Sequence, residues 1–548
     1  MASNAARNDF VIETSRIPAT VRIGVTGHRK LNYDMVVREK IRGVLAEIDR
    51  LMEKKLPRSP RTFIAVSPLA EGADTLVAEE VLAWRSGGHA VMPSLEVILP
   101  MPVDQYLSDF ETQAAIDAFK RLLARARAVK VVKDTGSRKG NFEEVGRAVV
   151  HNCDVLIAIW DGRNSAGRGG TADIVDYARK MGHAIVWIHS DTGAVQKDNW
   201  DEAALIRPLK YLDVYNGERL SAEKIDSAAD KMYKSFLSTA GIANMPESIL
   251  KPFRDDLLIK YERASLLSKK YQAQYMRAGS AIYGLSAAAI GVVAIQALFF
   301  PGHPELVWLE FLFMLLLLAQ IFLSSGRQRK WSDYRFLAER MRAAIFFTIA
   351  GIRYEPLRYP PYLSRADQSD CWIVKAFSWI WNSRPRGQDG SGADFTRLSQ
   401  FLKSAWLEDQ AKFYARRAHE LKSKYELYET IGTGLFVITF IAAFLHASGI
   451  AEHVLGDLPY EAELLTGVGF IFPALGAALA GMLTNREYLR IAERYSQMVE
   501  PLKDLLRQME IAEEPGRVVE LLEEANELML RENQNWRFGF LTQKLRPP

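Results

Sequence analysis

Three short polar loops carry side chains suited to binding a phosphorylated ligand. The first, Thr26–Arg29, combines a glycine that permits backbone approach with a histidine and an arginine that can contact a phosphate or a base. The second, Glu71–Asp74, offers two carboxylates suited to ribose hydroxyls or a base edge. The third, Gly169–Thr171, precedes a helical segment, whose N-terminal N–H groups and dipole favour an anion. The candidate ligand-binding residues are Thr26, Gly27, His28, Arg29, Glu71, Gly72, Asp74, Gly169, Gly170 and Thr171.

The segments around these loops alternate between strands and helices. Repeated strand–loop–helix units are typical of a parallel sheet that binds its ligand at the carboxyl ends of the strands. We therefore expect an α/β Rossmann-like doubly wound parallel sheet at the N-terminus, followed by an all-α membrane domain with four transmembrane helices. Apolar runs predict strands at 21–25, 62–66, 95–99, 130–132, 155–160 and 184–189.

The composition and the missing motifs exclude several classes of protein. The chain has 548 residues, a net charge of +4 and two cysteines, which argues against a disulfide-stapled module and a cysteine metal cage. The charge is too small to favour nucleic acid, so no direct nucleic-acid partner is expected. The dinucleotide-binding G-x-G-x-x-G and the P-loop lysine motif are absent, which disfavours NAD oxidoreductases and P-loop NTPases. No cofactor, metal or catalytic residue is assigned.

The apolar residues are concentrated in four blocks. The first block, 278–300, has 23 residues without a charge. At about 1.5 Å per residue it is long enough for a hydrocarbon layer of about 30 Å. Because a soluble core helix is rarely apolar on every face over such a length, we expect four spans in a lipid bilayer. The other three blocks are 306–323, 431–445 (extendable to 450) and 464–483.

Lysine and arginine placement predicts the orientation of these spans. The loops at 301–305 and 446–463 contain neither residue, whereas the flank on the opposite side of each span carries Lys, Arg or both. Positively charged flanks remain in the cytoplasm. Both termini and the N-terminal head are therefore predicted to be cytoplasmic.

The two pairs of spans are related by an internal duplication. A shift of 154 residues places Arg263 on Arg417, and it superposes two copies of Tyr-x3-Ala-Glu-Arg, at 334–340 and 488–494. One offset that fits both flanks of both hairpins indicates a parallel repeat. The repeated Glu is predicted to pair with the repeated Arg of a neighbouring helix; a solvated helix surface is the alternative.

The region between the hairpins includes a tryptophan-rich segment at 371–382. Two interpretations remain open, namely anchoring at the membrane interface and packing against the cytoplasmic helices. The predicted organisation is a Rossmann-like nucleotide-binding domain at 18–215, a helical linker at 216–262, a two-span unit at 263–352, an irregular linker at 353–412, a second two-span unit at 413–510 and a helical tail at 511–548.

Several motifs resemble known families. IGVTGHRKL, SPLAEGADTLVAEE, ILPMP and GRGGTADIVDYA resemble the SLOG superfamily, which includes the DNA-processing protein DprA and the cytokinin-activating LOG phosphoribohydrolases. The span pairs resemble the SLATT class of two-span effector modules of bacterial antiphage systems. LOG enzymes carry a fuller P-G-G-x-G-T-x-x-E loop, whereas here Arg168 precedes a single Gly-Gly-Thr.

The resemblance implies a sensor-effector of the bacterial inner membrane. Its head would bind a nucleotide-derived messenger, and its four spans would oligomerise or open and so compromise the membrane. One alternative is a membrane-anchored nucleotide N-glycosidase related to the LOG enzymes. Another is a ligand-regulated channel or transporter. The spans contain few charged residues, which argues against a transporter coupled to protons or ions.

Overall fold

A computed structural model describes residues 2–31, 33–85, 91–163, 170–353, 355, 371–385, 395–450 and 460–542. The described chain divides into two compact units. The head contains the described residues up to 222 together with 371–385, and the membrane unit contains the described residues from 223 to 355 and from 395 onward.

The head is built on one seven-stranded sheet in the order β4-β3-β2-β1-β5-β6-β7. The first six strands pair in parallel, which confirms the predicted doubly wound architecture. The seventh strand was not predicted; it is short and runs antiparallel to β6 at the edge of the sheet. The strands are β1 Ala19–Gly27, β2 Arg61–Ser67, β3 Ser94–Leu99, β4 Ala128–Val131, β5 Val155–Trp160, β6 Ala184–His189 and β7 Val195–Asp198.

Helices connect these strands and cover the sheet, whose central strands are almost completely buried. Numbered along the whole chain, the helices up to residue 254 are α1 Ala2–Ser15, α2 Asp34–Lys55, α3 Ala73–Ala83, α4 Val103–Tyr106, α5 Gln113–Ala124, α6 Arg138–His151, α7 Thr171–Lys180, α8 Glu202–Asn216, α9 Ala222–Ile242 and α10 Lys251–Arg254.

Long helices carry the predicted spans. Within the described ranges, four helices are long and apolar enough to cross a membrane, which agrees with the four expected spans. The helices that the structure describes after residue 254 are α11 Leu257–Phe299, α12 Val307–Ile349, α13 Cys371–Ser383, α14 Phe395–Leu402, α15 Asp409–Ser448, α16 Glu461–Arg486, α17 Tyr488–Ile511 and α18 Pro515–Thr542, with a π-helix at Lys403–Glu408 before α15.

The helix boundaries reproduce the duplication. Helix α12 begins at Val307 and α16 begins at Glu461, which is the same offset of 154 residues seen in the sequence. Within the membrane unit α11 packs along α12, α15 packs along α16 and α17, and α11 also contacts α16. A Cβ atom at Gly481 of α16 would lie 2.4 Å from the ring of Tyr283 on α11, so the two hairpins approach closely through a glycine.

The tryptophan-rich helix α13 belongs to the head and packs against it. Trp372 is fully buried, with its ring 5.8 Å from that of Tyr215 on α8. Lys375 pairs with Asp154 at 2.5 Å, and Asn382 donates a hydrogen bond to Glu96 at 3.0 Å. These partners precede β5 and lie in β3, so α13 binds near the amino-terminal ends of the strands, away from the edge where ligand is expected.

Candidate functional site

A cavity of about 660 Å³ opens at the carboxyl ends of β1 and β5. These strands are neighbours in the sheet, but β2 lies on one side of the pair and β6 on the other, so the strand order reverses between them. Doubly wound sheets bind their ligands at this switch point. The first predicted loop lines the cavity from β1, and side chains of α6 and α7 complete its walls.

Glycines hold the first two predicted loops together. A Cβ atom on Gly27 would lie 2.4 Å from the Cβ of Ala73, and one on Gly72 would lie 2.3 Å from the carbonyl oxygen of Arg29. Gly72 also has a φ of +87°, in the region that favours glycine. The Ala73 amide donates to the carbonyl of His28 at 3.0 Å. The loop after β1 and the loop after β2 therefore form one rigid wall.

His28 is fixed by the loop that follows β5. Its backbone amide donates to the carbonyl of Ile159 at 2.9 Å, and its Nε2 accepts a hydrogen bond from the Asp161 amide at 3.1 Å. The same nitrogen lies 3.2 Å from the carboxylate Oδ1 of Asp161, so both the backbone and the side chain of His28 contact this loop. A backbone hydrogen bond from Arg163, together with the contact to His28, lowers the pKa of Asp161, so this carboxylate stays ionised beside the imidazole.

Arg29 lies at the exposed side of the cavity. Its guanidinium group lies 5.6 Å from the ring centre of Phe142 on α6, a cation–π distance. One of its nitrogens donates to the carbonyl of Asp109 at 3.4 Å, a long hydrogen bond. The aromatic ring therefore orients the guanidinium group and leaves donors for a phosphate.

Asp74 and Tyr106 form the buried end of the site. Asp74 is 6% exposed and Tyr106 is 1% exposed, and both line the cavity. Burial raises the pKa of Asp74 to about 7, although a backbone hydrogen bond from Ala70 and the charge of Arg29 oppose this shift. Burial and the proximity of Asp74 also raise the pKa of Tyr106, whose hydroxyl has no hydrogen-bond partner among the described residues.

The third predicted loop places a helix N-terminus at the cavity. Gly170 caps α7 and Thr171 is its first residue, and both line the cavity. The first N–H groups of any α-helix lack partners within the helix, so the start of α7 can bind an anion. Gly169 lies outside the described residues.

The structure thus brings most of the predicted site residues to one place. Glu71 and Gly72 do not line the cavity: Gly72 forms the turn, and Glu71 contributes instead to the electrostatic environment of Lys30. Seven of the ten predicted residues line the cavity: Thr26, Gly27, His28, Arg29, Asp74, Gly170 and Thr171.

Other lining residues were missed by sequence reasoning. Lys139 lies in the first turn of α6, which Ser137 caps by accepting a hydrogen bond from Gly140 at 3.1 Å. Tyr106 ends α4, the short helix that follows β3, and Trp160 ends β5, so both lie on the carboxyl side of strands that had been predicted. The strand-end rule could have found the two aromatic residues, whereas Phe142 and Lys139 depend on how α6 packs.

The chemical character of the cavity is mixed. Arg29, Lys139 and Arg163 supply positive charge, and the start of α7 adds its dipole. Tyr106, Phe142 and Trp160 supply aromatic surface for a base. Among the described residues, no group of three or more His, Cys, Asp or Glu side chains is placed to hold a metal ion. The arrangement fits a ligand that joins a phosphate to an aromatic ring system.

Comparison with known proteins bears on the membrane unit. Residues 404–536 match the family described as "SMODS and SLOG-associating 2TM effector domain 1". The matched range runs from the π-helix through the second hairpin into α18, and it does not include the first hairpin or the head. No curated protein and no solved structure matches the chain. The second half of the membrane unit is therefore similar to a two-span SLATT effector domain, as the sequence pattern had indicated.

Proposed function

We propose that this protein is a membrane-bound sensor and effector, in which the head binds a nucleotide-derived messenger and the membrane unit responds by compromising the bacterial inner membrane. The observation that supports the sensor role of the head is the cavity at the β1–β5 switch point, which combines a helix N-terminus, cationic side chains and aromatic rings. The effector half is supported by the SLATT match and by the four apolar helices. The SLOG-like motifs around the cavity and the cytoplasmic orientation of the head belong to the same proposal.

The test is binding and membrane leakage measured on the same full-length protein. Calorimetry of the detergent-solubilised chain with a panel of ribonucleotides, dinucleotides and cyclic dinucleotides should identify a ligand, and that ligand should release dye from liposomes that contain the protein. Arg29→Ala and Lys139→Ala should each weaken binding about 10- to 100-fold through loss of a charged phosphate contact. Gly170→Asp should weaken it by repelling the phosphate at the start of α7.

Arg125→Ala is the matched control, because Arg125 is exposed at the end of α5 and does not line the cavity. A chain that binds no nucleotide in the panel, or binding that survives all three cavity variants, would reject the proposed sensor site.

A second candidate is nucleotide N-glycosidase activity, which the state of Asp74 favours. A buried carboxyl group with a pKa of about 7 can act as an acid or a base near neutral pH. Released base in the same incubations, abolished by Asp74→Asn, would support hydrolysis. Thermal stabilisation by the ligand without turnover would support a sensor.

A further inference from the structure

The two repeats of the membrane unit use equivalent surfaces differently. In the first repeat, Arg342 of α12 donates a hydrogen bond to Gln410 at 2.9 Å, and Phe346 stacks on Trp406 at 5.1 Å between ring centres. One helical turn away from Gln410, Tyr414 is 3% exposed and lies in the electrostatic field of Glu339 and Arg342. This face of the first hairpin is therefore covered by residues of the second.

Among the residues that the structure describes, the equivalent face of the second repeat is open. With the offset of 154 residues, the positions equivalent to Glu339, Arg342 and Phe346 are Glu493, Ser496 and Glu500 of α17. All three line a groove of about 520 Å³ between α15 and α17. Small side chains form its floor, since Ala418 is 8% exposed and Ala492 is 4% exposed. We name this surface the α15–α17 groove.

The rim of the α15–α17 groove carries opposite charges on its two sides. Helix α15 contributes His419 and Lys422, whereas α17 contributes Glu493 and Glu500. Among the described residues Glu493 has no ion pair, and Lys422 has only a 4.0 Å contact with Glu426 on its own helix. A small-residue floor permits close approach of a helix, and such a rim selects a partner of matching charge.

We propose that the α15–α17 groove is the surface through which a second copy of this chain binds around a two-fold axis parallel to the membrane normal. Two copies inserted in the same membrane with the same orientation keep equivalent residues at equal depth. The axis then places α15 of one copy against α17 of the other, and basic residues of one copy face the acidic residues of its partner. This inference concerns assembly and does not depend on the identity of the ligand.

Charge-reversal variants of the full-length protein test the proposal. The mass of the assembly is measured in lipid nanodiscs and in detergent as a function of protein concentration. Lys422→Glu and Glu493→Lys should each raise the dimer dissociation constant at least about tenfold, and the double variant should restore it. Ala418→Trp should block dimerisation by filling the floor. Lys412→Glu, an equal charge change at an exposed site of α15 outside the groove, should leave the dimer unchanged.

A wild-type chain that stays monomeric at all concentrations would overturn the proposal, as would a dimer unaffected by the reversals and by Ala418→Trp. Failure of the double variant to recover the dimer would show that these charges do not face each other across the axis.

Discussion

Lys375 of α13 forms an ion pair with Asp154, the residue that precedes β5, at 2.5 Å. Asp154 also accepts a hydrogen bond from the amide of Arg22 on β1 at 2.9 Å. Through this pair a helix that lies between the two hairpins in the sequence is fixed to the central strands of the head. The head therefore has two sequence-distant segments, and its stability should depend on both.

Trp372→Ala tests this dependence. Removing a fully buried tryptophan should destabilise the head by about 3–5 kcal/mol, because a cavity replaces its packing against Tyr215. Hydrogen exchange of the full-length chain should show faster exchange in β1 and β5. Met35→Ala, at a residue that is 75% exposed, should leave exchange unchanged. Equal protection in both variants would mean that α13 does not support the sheet.

The raised pKa of Asp74 predicts a pH dependence of head stability. The carboxyl group ionises near 3.8 when the chain is unfolded and near 7 when it is folded, so the folded head binds more protons between these values. Stability should therefore fall as the pH rises from about 4 to about 7, by roughly 2–4 kcal/mol. Asp74→Asn should remove this dependence and make the head more stable than wild type at pH 8.

Hydrogen exchange of β2 and α3, measured at several pH values, tests this effect. The exchange rates are corrected for the pH dependence of intrinsic amide exchange. Asp117→Asn, an exposed substitution on α5, should retain the wild-type pH dependence. A wild-type head with equal stability at pH 5 and pH 8 would contradict the argument.

Much of the head fold could be predicted because each parallel strand is a short apolar run bounded by loop residues. Strand β7 was missed because VQKD at Val195–Asp198 is polar and partly exposed, and antiparallel pairing to β6 forms it. The place of α13 could not be predicted, because an aromatic, amphipathic helix suits a membrane interface and a protein surface equally well. Only its specific partners, such as Asp154, decide between them.

The repeated charged residues illustrate a different limit of sequence reasoning. The observed ion pairs of Glu339 and Arg417 run along their own helices, to Arg342 and Glu420. Identical residues also have different surroundings in the two repeats: Arg340 is 1% exposed, whereas its counterpart Arg494 is only half-buried. A duplicated motif specifies how each hairpin folds, but its environment depends on what packs outside the hairpin.

Cysteine labelling tests the predicted orientation in the membrane. With Cys153 and Cys371 replaced by Ala, a cysteine at His303, between the first two spans, should react with an impermeant maleimide added to intact cells. A cysteine at Lys412, on the side of the spans flanked by Lys and Arg, should react only after permeabilisation. Labelling of the Lys412 site from outside would reject the four-span topology with cytoplasmic termini.

Coupling between the head and the membrane unit is the remaining prediction. A ligand in the head can change the spans only through elements whose arrangement depends on ligand binding. The chain passes between the units after α8, and the segment containing α13 returns to the head before the second hairpin begins. On α9, Phe236 already packs on Phe346 and Phe401 of the membrane unit. A flexible insertion beyond α9 would therefore leave the connection intact, whereas Gly-Ser insertions after Glu218, after Glu355 and after Gly390 should interrupt all three covalent paths between the units.

We expect the triple insertion to retain nucleotide affinity by calorimetry and to lose ligand-dependent liposome leakage, and we expect each single insertion to reduce leakage partially. The same insertion after Thr192, in the exposed turn between β6 and β7, should leave both properties unchanged. Leakage that survives the triple insertion would instead indicate that ligand acts by clustering the heads, with no need for a rigid connection to the spans.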